Sequence, residues 1–116
     1  MITKEFKELI AASLAGSTFT APSHLAWGDD NTAPTEDDTT LGNELIINAK
    51  DTALLTGTTI EINGNLSTTD LVGSTIKEVG LFNASSEGAL FMRNIFAEIE
   101  KTSGFEVDTS FIITIR

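Results

Sequence analysis

Thr75-Ile76-Lys77-Glu78-Val79-Gly80-Leu81-Phe82-Asn83 decides how the rest of this chain is read, together with Gly88-Ala89-Leu90-Phe91-Met92-Arg93 just after it. An apolar run ends in Gly-Leu-Phe, passes through small polar residues and re-enters as a second apolar run. That pattern predicts one hairpin of a compact β domain, with no catalytic group in its turn. Downstream, Phe105, Val107, Phe111, Ile113 and Ile115 alternate with Glu106, Asp108, Ser110, Thr114 and Arg116. Period-two alternation predicts a half-buried strand from Phe105 to Ile115. Its register is strongly specified, because a slip of one residue would exchange phenylalanine for carboxylate on the buried face.

Upstream, Thr58–Leu66 keeps Ile60, Ile62 and Leu66 in one phase. Asn63-Gly64 could turn a hairpin by itself. The retained phase favours a single long strand with a bulge at Gly64, followed by a turn over Ser67–Ser74. Asn43–Ala49, Thr52–Leu55 and Ser23–Trp27 are further candidate strands, the last ended by Gly28. Thr3–Gly16 is the one amphipathic helix. Phe6, Leu9, Ile10 and Leu14 form a stripe opposite Lys4, Glu5, Lys7 and Glu8, with Thr3 as N-cap and Gly16 as the left-handed stop. So short a helix does not persist alone in water and is expected to dock on its own sheet. The expected fold is mainly β: an antiparallel β-sandwich or small barrel over residues 23–116, with one N-terminal amphipathic helix and an acidic loop over 29–42, in a single domain.

Composition narrows the function classes. At 116 residues the chain buries roughly two-thirds of its unfolded surface, enough for one core. Seven Lys and Arg against 17 Asp and Glu leave a net charge of −10, which repels nucleic-acid backbones and anionic lipid. No cysteine is present, which removes disulfides, thiolate nucleophiles and cysteine-based zinc sites. No apolar run approaches transmembrane length. Glu5 and Glu8 stand where a cleaved signal would carry positive charge.

Candidate chemical groups are few. His24 is the only histidine, and its neighbour Ser23 is expected on the opposite face of the strand. Asp29-Asp30-Asn31 and Glu36-Asp37-Asp38 form the one carboxylate cluster. Pro34 in mid-loop and the lack of a glycine from Asp29 to Leu41 fail the calcium-loop pattern, so a solvated acidic loop is expected. Asp51, Asp70 and Glu87 lie beside turns, where such groups cap local backbone. Glu78 differs, because it sits inside an apolar run. A buried carboxylate needs a partner, and Arg93 on the next strand is the natural one, giving a structural ion pair. No phosphate cradle and no cofactor site is indicated.

Two blocks then invite comparison. One is Leu25-Ala26-Trp27-Gly28 with Thr32-Ala33-Pro34-Thr35 and Asp38-Thr39-Thr40-Leu41-Gly42-Asn43-Glu44. The other is Ile76-Lys77-Glu78-Val79-Gly80-Leu81-Phe82 with Gly88–Arg93 and the alternating last strand. Together they resemble the tail-fibre and tail-collar-fibre proteins of tailed bacterial and archaeal viruses, over roughly Leu25 to Ile115. The resemblance implies a non-enzymatic virion protein, in the tail more than the head, that assembles with itself as a trimer and with other virion proteins. A chain with neither shaft nor receptor-binding tip suits an adaptor, or a capsid-decoration or turret protein. Fibre proteins often carry an Arg after the Leu-Gly-x-Glu segment, whereas here Ile46, Ile47 and Lys50 follow. Expected contact residues are Phe6, Leu9, Trp27, Phe91 and Phe96. A small carbohydrate-binding module, engaging a host-surface glycan through an exposed Trp27, is the alternative from another class.

Overall fold

The structure, a computed structural model, describes residues 1–116. One helix, α1 (Lys4–Leu14), precedes seven strands: β1 (His24–Gly28), β2 (Glu44–Ala49), β3 (Thr52–Thr56), β4 (Thr59–Leu66), β5 (Thr75–Phe82), β6 (Leu90–Glu100) and β7 (Val107–Thr114). They form two antiparallel sheets, ordered β2-β1-β5-β6 and β3-β4-β7. The expected β-sandwich with one N-terminal helix is the observed architecture.

Alternation assigns the faces. Leu25, Trp27, Val79 and Leu81 turn inward from the larger sheet and meet Ile62, Leu66 and Phe111 from the smaller one. Ala26, Phe82 and Leu90 point the other way, into a second cluster with Leu41. The larger sheet is therefore covered on both faces, which is why its central strands read as near-continuous apolar runs.

Gly64 marks a close approach between the two sheets. The β4–β7 register runs without interruption from Thr59↔Thr114 to Leu66↔Val107, so the expected bulge at Gly64 is absent. A Cβ there would stand 2.8 Å from Leu25 Cδ2, so glycine is required by contact, not by a turn. The hairpin turn falls earlier, at Gly57-Thr58, where Gly57 has φ +61°.

The helix docks on its own domain. Thr3 Oγ1 accepts from the Phe6 amide and donates to Leu90 O, so the N-cap is also tied to β6. Phe6 stacks on Phe91 at 4.4 Å and Phe19 covers the other part of that ring at 5.9 Å. Ser17 N donates to Ala12 O and Gly16 has φ +106°, which closes the last turn. The stripe is only partly used: Phe6 is buried, while Leu14 is 86% exposed. The last strand begins at Val107, two residues later than its alternation suggests, and Phe105 instead lies 5.5 Å from the ammonium of Lys101.

Candidate functional site

The buried pair of the sequence reading is the centre of a polar cluster that joins two strands to the 29–42 loop. Glu78 on β5 and Arg93 on β6 both point to the outer face of the larger sheet, and Arg93 Nε donates to Glu78 Oε1 at 2.9 Å. Glu78 is fully buried and Arg93 is 3% exposed. Three backbone amides complete the carboxylate. Gly42 N donates to Oε1 at 2.8 Å, while Asn43 N and Asp30 N donate to Oε2 at 2.8 and 3.0 Å. A buried carboxylate with four donors has its desolvation offset on every side.

Those donors come from the two ends of the 29–42 loop. The acidic loop is largely solvated, as its composition suggests, but it is also pinned as a strap across the sheet. Arg93 Nη1 holds its middle, donating to Thr32 O at 2.9 Å and to Asp38 Oδ2 at 3.3 Å. Leu41, 5% exposed, drops from the strap into the cluster of Ala26, Phe82 and Leu90. The strap carboxylates act locally. Asp38 caps Thr35 through its amide and hydroxyl, Asp29 accepts from Asn43 Nδ2, and Asp30 accepts from the Thr32 amide. Glu36 lies 3.6 Å from Lys7 on the helix. No trio of His, Asp or Glu side chains converges as metal ligands would.

Two glycines make room for this junction. A Cβ at Gly28 would collide with Asn43 O and stand 2.5 Å from Glu78 Oε2; one at Gly42 would collide with the Asp30 side chain. The acidic groups titrate accordingly. The Thr32 hydroxyl and amide hold the Asp30 carboxyl below its ordinary value of 3.8. For Asp38, partial burial pushes upward, but the Thr35 bonds and the Arg93 guanidinium outweigh it and hold that carboxyl low as well.

The remaining sequence candidates fall elsewhere. Phe6, Trp27 and Phe91 lie buried within the chain's own core, and Leu9 and Phe96 pack partly buried against it. Trp27 Nε1 donates to Thr109 Oγ1 at 3.3 Å, linking the two sheets. Ser23 and His24 are not separated as strand alternation would have them. Ser23 precedes β1, and its hydroxyl lies 2.7 Å from His24 Nδ1. No carboxylate hydrogen-bonds that ring, so the pair lacks the orienting group of a nucleophile–base arrangement. Asp70 caps its turn as its position suggests, accepting from Ser67 N at 3.0 Å.

Sequence reasoning missed Lys101. It is 1% exposed, and its ammonium donates to Ser67 O at 2.8 Å and Thr102 O at 3.0 Å, tying the β4–β5 turn to the β6–β7 loop. The only signal was a cation immediately after an apolar strand.

Comparison of the chain with protein-family models and with curated proteins finds no match.

Proposed function

We propose that this chain is a non-enzymatic virion structural protein of the tail-fibre or adaptor type, working through contacts with further copies of itself and with other virion proteins. One observation carries the reading. The two sequence blocks that resemble tail-fibre proteins meet in space, with Gly28, Gly42 and Asn43 of the first closing on Glu78 of the second. The resemblance thus includes one interlocked junction, in which Gly28, Gly42, Asn43, Glu78 and Arg93 each have a packing or hydrogen-bonding task.

The surface supports assembly as well. Leu54, Leu55, Ile112 and Ile115 are between 53% and 74% exposed on the smaller sheet, where strands β3 and β7 have unpaired edges. The glycan-binding alternative rests on an exposed Trp27, and that residue is wholly buried. A head-decoration role uses the same kind of surface and differs only in place.

Immunogold labelling of the virus particles with antibody against this chain tests the proposal. Gold at the tail end or neck is the expected result. Gold across the head would replace the tail role with decoration, and unlabelled particles in which the chain is also absent by mass spectrometry would overturn the virion assignment.

A further inference from the structure

The four sheet edges are not equally guarded. The start of the β6 edge is covered by the N-terminal segment, with Thr3 N donating to Phe91 O and Arg93 N to Met1 O, and the pairing of β6 with β5 is twice irregular. The β1–β2 ladder shifts register at Trp27/Gly28, and its edge strand β2 begins at Glu44. On the smaller sheet, β3 is only five residues long. The remaining edge, β7, is eight residues long, evenly paired with β4, and free of the lysine, proline or bulge that ordinarily blocks strand addition.

The direction of its free groups follows from one bond. Ile115 N donates to Thr58 O, so odd-numbered residues of β7 spend their backbone groups on β4. Asp108, Ser110, Ile112 and Thr114 therefore turn theirs outward. The side chains of these residues share the solvent face of the sheet: Asp108 bonds Asn65, Ser110 bonds Asn63, and Thr114 meets Thr59. Continued alternation past Thr114 would place Arg116 on the same face. No backbone bond outside the ladders uses the outward groups of residues 108 to 114.

We infer that β7 pairs with β7 of a second copy of this chain, antiparallel and about a two-fold axis at Ile112. In that register Ile112 faces Ile112, Ser110 faces the second copy's Thr114, and Asp108 faces the second copy's Arg116. All three are pairs of outward-facing residues, as an antiparallel ladder requires. Asp108 and Arg116 are the only charged residues from 107 to 116, and this register alone sets them opposite each other with opposite sign. A shift of two residues one way sets Asp108 against Thr114 and Arg116 against Glu106, which precedes the strand; the other way it sets Arg116 against Ser110. The seven residues between the two charges, Thr109 to Ile115, carry no charge on a molecule of net charge −10. Two copies therefore meet here with less repulsion than at a carboxylate-bearing face. The 61%-exposed Ile112 gains an apolar neighbour, and the product is a six-stranded sheet in the order β3-β4-β7-β7-β4-β3.

Such a contact is isologous and closes at two copies, unlike the threefold association implied by the resemblance. It deepens the assembly reading but is tested on the purified chain, so failure here leaves the virion location to be decided by labelling. Sedimentation equilibrium of the chain should give a mass twice 12.4 kDa. Asp108→Arg alone and Arg116→Asp alone should each weaken association at least tenfold, by setting like charges opposite one another. Combining them should restore it, and Ile112→Lys should weaken it in either background. All three positions are exposed, and circular dichroism checks that each variant is folded. A mass of one chain at every concentration, a mass of three chains, or a dimer indifferent to the charge exchange would each overturn the inference.

Discussion

Glu78 has no solvent and four donors, so its substitution separates charge from hydrogen bonding. Glu78→Gln keeps the shape but presents an NH2 group where two backbone amides need an acceptor. It also removes the buried charge opposite Arg93, leaving Asp38 as that guanidinium's only carboxylate. Breaking a buried pair on one side costs about 3–5 kcal/mol, and urea unfolding should show a loss in that range. A loss under about 1 kcal/mol would mean that the junction contributes little. Replacing both Glu78 and Arg93 by leucine should not recover the parent's stability, although apolar replacement of an isolated buried pair often does. The amides of Asp30, Gly42 and Asn43 would still lack an acceptor, at about 1–3 kcal/mol for each one kept from water. Gly28→Ala tests the same junction by crowding. Its methyl meets Asn43 O and Glu78 Oε2, and a loss of about 1–3 kcal/mol is expected from overpacking.

The strap over residues 29–42 is an element without secondary structure whose order depends on carboxylates. Asp30 and Asp38 titrate below the ordinary Asp value of 3.8. A depressed carboxyl stabilises the fold above its unfolded pKa, and that contribution is lost as pH falls through the lower folded value. The strap should therefore keep its protection at neutral pH and loosen only below about pH 4. Amide exchange at Thr32 and Thr35 measures this; exchange that accelerates already near pH 6 would contradict the assignment. Lys101→Met should destabilise by about 1–3 kcal/mol, because it leaves Ser67 O and Thr102 O without their shared donor. At this scale the limits of sequence reading are concrete. The β5–β6 hairpin, the last strand and the Glu78–Arg93 pairing were legible, because alternation and a lone acid among apolar residues have physical meaning in one dimension. The strap was not, because its grip on Glu78 comes from backbone amides, which look the same at every position. Six polar residues around Pro34 read as solvated, while Leu41, the one residue that buries the strap, has no periodic partner. Gly64 carried a true signal of constraint, but a bulge and a close sheet contact produce the same glycine.

Over the whole molecule, the principal extents of 46 × 28 × 25 Å show an elongated body. Apart from Glu78, Arg93 and Lys101 the charged groups lie outside the core, so the acidic excess behind the net charge of −10 is carried by the surface. The exposed ion pairs, Lys4–Glu8 at 3.9 Å and Lys7–Glu36 at 3.6 Å, each contribute less than about 1 kcal/mol. The Arg93 pair lies beneath the strap, where added salt barely reaches it. Self-repulsion should therefore outweigh surface attraction, and screening should stabilise the fold. Raising NaCl from about 0.01 M to about 1 M shortens the screening length from about 30 Å to about 3 Å. A gain of about 1 kcal/mol would raise Tm by roughly 4 °C for a chain of this size. The comparison belongs at one protein concentration, and also in Asp108→Arg, since any linked self-association would itself make Tm depend on concentration. If Tm falls with salt in both proteins, the exposed pairs govern the surface and the excess of carboxylates carries no stability cost. If it rises in both, the acidic surface is maintained against a cost in stability, and screening of that surface is what the added salt supplies.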